Sequence, residues 1–84
     1  MKIKFQRYKD AWCKDRRILD AKTGRLLGSI ELVKGQRNPW IAYALNGGRI
    51  LSHDGYDCFS FNEARKAARE HFANLKPGDI NASL

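Results

Sequence analysis

The chain is 84 residues long with a formal charge of +7, 43% hydrophobic residues and two cysteines. That length is one domain with a single small core and little room for a deep substrate cleft besides. Two cysteines are too few for a disulfide framework, and the charge excess favours a polyanionic partner over a neutral ligand.

The first predicted element is Lys2 to Tyr8. Ile3 and Phe5 alternate with Lys2, Lys4 and Gln6, the pattern of a half-buried strand with a basic outer face. Lys9 to Asp15 breaks the alternation and reads as a loop or as the start of the next strand. Arg16 to Asp20 and Leu26 to Val33 then form a hairpin. Asp20 is placed to accept from backbone amides two residues on, and Gly24 to take a positive φ. On the return strand Leu26, Ile30 and Leu32 are expected on one face, with Gly28 where a backbone or ring passes closely. Ser29 and Glu31 are expected to face outward.

Lys34 to Pro39 is a polar loop closed by Asn-Pro. Trp40 to Leu45 is apolar on both faces, which places it centrally in a sheet. Asn46-Gly47 predicts a type I′ hairpin turn, with Arg49 to Ser52 returning and residues 53–57 leading to the last element.

That element is a helix over Ser60 to Leu75. Ser60 and Glu63 are spaced as a capping box, with Phe59 set to staple onto the first turns. Phe61, Ala64, Ala68, His71 or Phe72, and Leu75 form one apolar stripe. Pro77-Gly78 ends the helix, and residues 77–84 are expected to fray. The sum is a single α+β domain: an antiparallel β-meander of four to five strands with one C-terminal helix packed on one face.

No constellation of catalytic residues emerges. Ser52-His53-Asp54 has suggestive residue types, but neighbours in an extended segment point to opposite sides. Asp54 and Asp57 read as turn formers, and Gly47-Gly48 as a hairpin turn without the lysine and hydroxyl residue of a phosphate loop. Cys13 and Cys58 lack the paired spacing of a zinc site and read as reduced, partly buried thiols, so no metal or other cofactor is expected. No apolar run is long enough to span a bilayer, and the basic start lacks the apolar core of a signal peptide. A cytoplasmic, non-enzymatic protein with no membrane partner is the expectation.

The charge is concentrated. Residues 1–25 hold nine Lys or Arg against three Asp, whereas residues 26–59 are balanced and residues 60–84 carry a net +1. Arg7, Lys9, Lys14, Arg16, Arg17, Lys22 and Arg25 interleave with Tyr8 and Trp12. Cations to neutralise phosphates and aromatic faces for stacking are the ingredients of a nucleic-acid surface. Arg65 and Arg69 share one side of the helix and read as a solvated face or as auxiliary contacts.

Two segments carry a family resemblance. Asp20-Ala21-Lys22-Thr23-Gly24-Arg25 is similar to the D-x-x-T-G-K/R hairpin, and Phe59-Ser60-Phe61-Asn62-Glu63-Ala64 to the G-F-x-T-K-x-E-A helix start, of the arm-type, AP2-like DNA-binding domain of phage tyrosine integrases. The match covers about a third of the chain. An extra hairpin from Trp40 to Ser52 separates the two motifs, and in the second motif Ser60 and Asn62 do not reproduce the family's threonine and lysine.

The resemblance implies a three-stranded sheet backed by a C-terminal helix, with the exposed sheet face in the major groove. It would give DNA contacts to Lys22, Arg25, Arg16 and Arg17, and it favours DNA over RNA. The expected function is a small nucleic-acid-binding or regulatory protein, an accessory of a phage or other mobile element. The alternative is a protein-interaction module, such as a phage-encoded inhibitor docking on an acidic host protein through Tyr8, Trp12 or Trp40. A small hydrolase or nuclease would need His53 and Asp54 to converge with another polar group in a pocket. Oligomeric state is left open.

Overall fold

In the computed structural model, which describes residues 2–9, 13–52 and 55–73, alternation and turn chemistry give five antiparallel strands in strict chain order. They are β1 (Ile3–Arg7), β2 (Arg16–Asp20), β3 (Leu26–Leu32), β4 (Trp40–Ala44) and β5 (Arg49–Ile50), followed by one helix, α1 (Phe61–Ala73). The α+β meander with a C-terminal helix is therefore what the chain forms. β4 sits between β3 and β5, as expected of a strand apolar on both sides, and β5 is only two residues long. Beyond it, Cys58 pairs with Trp40 through two backbone hydrogen bonds of 2.9 and 3.1 Å and prolongs that side of the sheet.

The core lies between helix and sheet. Ile18, Leu27, Ile30, Ala42, Ile50 and Cys58 meet Ala64, Ala67, Ala68 and Phe72 of the helix, all buried. Three alanines on the buried stripe leave little side-chain bulk beneath α1, which lies chiefly across β3, β4 and β5. Ile3 and Phe5 of β1 and Phe61 at the head of the helix pack at the margin of this core.

Local chemistry accounts for the turns, with corrections. The Asp20 carboxylate accepts from the amides of Lys22 (2.8 Å) and Thr23 (3.4 Å), and Gly24 has φ 76°, as the hairpin requires. At Asn46-Gly47 the type I′ expectation fails: no non-glycine residue among those described has positive φ, and Gly47 alone takes the left-handed conformation at 86°. The Gly47 amide donates to the Ala44 carbonyl (3.0 Å) and the Asn46 side chain accepts from the Gly48 amide (2.9 Å). A longer loop closed by one left-handed glycine replaces the two-residue turn.

Leu26 also departs from expectation. A β-bulge shifts the β2–β3 register, so that Ile18 opposes Gly28 but Leu19 opposes Leu26. The extra residue, Leu27, enters the core, and Leu26 is left on the side away from Ile30, exposed.

The capping box forms, with one change of partner. The Ser60 hydroxyl accepts from the Glu63 amide (3.2 Å), and the Glu63 carboxylate accepts from the amide of Phe59 (2.8 Å). Phe59 does not staple: the residue is 68% exposed. Residues 74 and 75 of the expected helix, and the 77–84 tail, lie outside the described residues, as do His53 and Asp54.

Candidate functional site

Strand alternation divides the cations of the N-terminal third between two faces. Direct cross-strand partners share a face. One row across the sheet is Gln6, Arg17, Ser29, Tyr43 and Arg49, on the side away from the helix. The next row is Arg7, Arg16, Ile30, Ala42 and Ile50, on the helix side. Arg16 and Arg17, adjacent in sequence, thus belong to different surfaces.

On the open face Lys4 and Gln6 are exposed, and the Arg17 guanidinium lies 4.5 Å from the centre of the Tyr8 ring. A guanidinium held against an aromatic ring by cation–π attraction still has N–H groups to donate, which suits a phosphate or carboxylate. Beside this pair is an open groove of about 380 Å³ lined by Tyr8, Arg17, Leu26, Glu31, Tyr43 and Leu45. Glu31 accepts from the Ser29 hydroxyl at 3.3 Å. Farther across, Arg49 is ion-paired with Asp57 at 3.0 Å. Lys22 and Arg25 are exposed at the tip of the β2–β3 hairpin, where the Asp20 carboxyl is held below its usual range by the Lys22 amide.

The helix side gathers a second group. Arg16 is half-buried, donates to the carbonyls of Lys14 (2.7 Å) and Asp15 (2.9 Å), and rests 5.4 Å from the Phe61 ring centre. Arg65, one turn on from Phe61, is 5.7 Å from the same ring, and Arg69 is 5.4 Å from Phe5. The two rings meet edge-to-face at 6.3 Å, with Trp40 against Phe61 at 5.3 Å. Arg7 is the direct cross-strand partner of Arg16. Among the described residues, no carboxylate is ion-paired with Arg7, Arg16, Arg17, Arg65 or Arg69.

Of the residues singled out from sequence, Lys9 and Lys14 are exposed on the connection between β1 and β2. Trp12 lies outside the described residues. The structure therefore brings together Tyr8 and Arg17, and separately Arg7 and Arg16, but not all seven cations in one patch. Arg65, read from sequence as auxiliary, shares Phe61 with Arg16, and Arg69, read likewise, lies by Phe5, whose ring meets Phe61. Their spacing from Phe61 of four and eight residues carried the signal, since that spacing repeats along one helix flank.

Cys13 is half-buried and Cys58 buried, both free thiols, and no group of three potential metal ligands occurs among the described residues. No helix among them is long and apolar enough to cross a membrane. Asp57, half-buried, is committed to Arg49 through one oxygen. Compared with family models, with curated proteins and with solved structures, the chain matches none.

Proposed function

We propose that the protein is a small, non-enzymatic nucleic-acid-binding protein, a regulatory or accessory protein of a phage or other mobile element, with duplex DNA as its target. The observation that carries this reading is the β1–β2 ribbon. Its open face presents exposed Lys4 and, against the Tyr8 ring, Arg17, with no carboxylate ion-paired with Arg17 among the described residues. Cations left without an internal counter-charge raise the local positive potential, and phosphates that replace small counterions release them to bulk.

Lys4, Arg17 and the hairpin-tip residues Lys22 and Arg25 form the contact surface in this reading. The helix braces the other side of the sheet, in keeping with the plan that the integrase-arm resemblance implies. β4 and β5 widen the sheet beyond that family's three strands.

The test is fluorescence anisotropy with a labelled duplex across a salt series. Affinity at low salt that falls steeply with added salt is expected, with Arg17→Gln lowering the steepness by about one phosphate contact. Absence of low-salt binding, or binding indifferent to salt, overturns the reading.

The open groove favours a second reading, in which the same cations steer an acidic protein onto the sheet and Tyr8, Leu26, Tyr43 and Leu45 receive an apolar side chain. Leu26→Glu separates the two. It abolishes docking of a protein partner but weakens DNA only as one added negative charge does.

A further inference from the structure

We propose that Arg7, Arg16, Arg65 and Arg69 form a binding site for a phosphate oxyanion, on the helix side of the sheet and separate from the open face. The inference does not depend on the nucleic-acid reading, because it concerns the affinity of this cluster for the phosphate group itself.

Its origin is the off-centre position of the helix. α1 lies chiefly over β3 to β5, so the helix-side ledge at β1 and β2 is finished by side chains alone. Phe5 and Phe61 fill the inner part, and the guanidinium groups of Arg16, Arg65 and Arg69 lie on or beside those rings. Cation–π attraction holds each guanidinium against its ring and leaves N–H groups able to donate to an anion. Bidentate donation from a guanidinium edge is the geometry that phosphate oxygens match.

Three features of the cluster are unfavourable in the absence of an anion. Arg7 and Arg16 are like charges set directly opposite each other on neighbouring strands, an arrangement that repels. No carboxylate among the described residues is ion-paired with any of the four arginines. Glu63, the nearest acid in sequence to Arg65, is engaged with the Phe59 amide.

The Nε of Arg65 is shut from solvent in its place beside Phe61 and has no hydrogen-bond partner. A donor buried that way carries an uncompensated desolvation cost. Turning the Nε–Nη edge toward a phosphate oxygen removes that cost and neutralises the repulsion in one step. Arg16 retains donors for this role, because only its Nη1 is engaged with the Lys14 and Asp15 carbonyls.

The experiment is an NMR titration of the arginine Nε–Hε signals with sodium phosphate, against sodium chloride at matched ionic strength. The expected result is saturable movement of the Arg16, Arg65 and Arg69 signals with one dissociation constant, while Arg17, a lone guanidinium on the open face, moves less and without saturating. Arg69→Gln, at an exposed position, is expected to weaken phosphate binding about tenfold, with Arg65→Gln at least as severe. Should Arg65→Gln fail to fold, Arg69→Gln carries the comparison.

A drift that never saturates, that chloride reproduces, or that moves Arg17 as much as Arg65, overturns the site. A short oligothymidylate with and without a 5′-phosphate identifies the source. Movement with the phosphorylated strand alone assigns a terminal phosphate, and equal movement with both assigns the backbone diester. Movement with neither, alongside saturation by inorganic phosphate, assigns the free ion. Because the duplex assay reads Arg17, it can fail while this titration succeeds, and the reverse.

Discussion

Gly28 of β3 runs against the carbonyl oxygen of Tyr43 of β4 with no space for a side chain: a Cβ on Gly28 would overlap that oxygen and crowd the Ala44 Cα. The neighbour is backbone in a paired strand, which cannot rotate away as a long side chain can. Gly28 also lies opposite Ile18, beside the bulge that sends Leu27 into the core. Gly28→Ala is therefore expected to destabilise the fold by about 1–3 kcal/mol, since the two central strands must part or shift to admit a methyl group. Urea denaturation followed by circular dichroism measures it. An unchanged midpoint would show that β3 and β4 separate freely at this point.

The helix start gives a second test. Ser60 satisfies the Glu63 amide and Glu63 satisfies the Phe59 amide, so two donors lose their partners when the pair is removed. Ser60→Ala is expected to cost about 1 kcal/mol. Glu63→Gln, which keeps an acceptor but removes the charge from the helix N-terminus, is expected to cost less. Thermal melts of both variants rank them, and a larger loss in Glu63→Gln would show that charge outweighs hydrogen bonding in the first turn.

Two groups tie stability to pH in the same direction but in different windows. The Asp20 carboxyl is held below 3.8 mainly by the Lys22 amide, so the folded chain is the weaker proton acceptor there. Its stabilisation is present above that value and is lost as pH falls below it. His71 is held below 6.5 by desolvation, with its ring edge-to-face at 4.9 Å from Phe72. The unfolded chain again takes up the proton first, so stability declines as pH falls from 6.5. The side chain is largely in contact with solvent, which makes this second slope shallow. Asp20→Asn should flatten the stability profile below about pH 4 and His71→Gln the profile between about pH 7 and 5. Equilibrium unfolding at stepped pH checks both, and a variant profile parallel to that of the parent would sink the assignment for that residue.

Much of this architecture is legible from residue order. The alternation of Ile3 and Phe5 with lysines, the Asp20–Gly24 turn and the Ser60–Glu63 cap each act over a few residues, and each forms in the fold. Leu26 and Asn46 depart from the local pattern for a related reason. A bulge and a longer loop each add one residue to a hairpin, and the strand pattern alone does not mark where it is added.

The candidate site is less legible. Composition places the charge in residues 1–25, yet strand alternation sends Arg16 to the helix side and Arg17 to the open face. Which cations act together depends on what lies above each face, and that is set by the seat of the helix over β3 to β5.

The chain's own order thus determines the element types, the well-capped helix from Ser60 onward and the cationic excess of its first third, because all are properties of near neighbours. Tertiary structure alone decides that Arg65 and Arg69, far along the sequence, join Arg16 around Phe61 and Phe5. The physical reason is that the helix packs its alanine stripe over β3 to β5 and leaves the ledge at β1 and β2 uncovered on that side. The uncovered ledge is then closed by two aromatic rings and the arginines that rest on them.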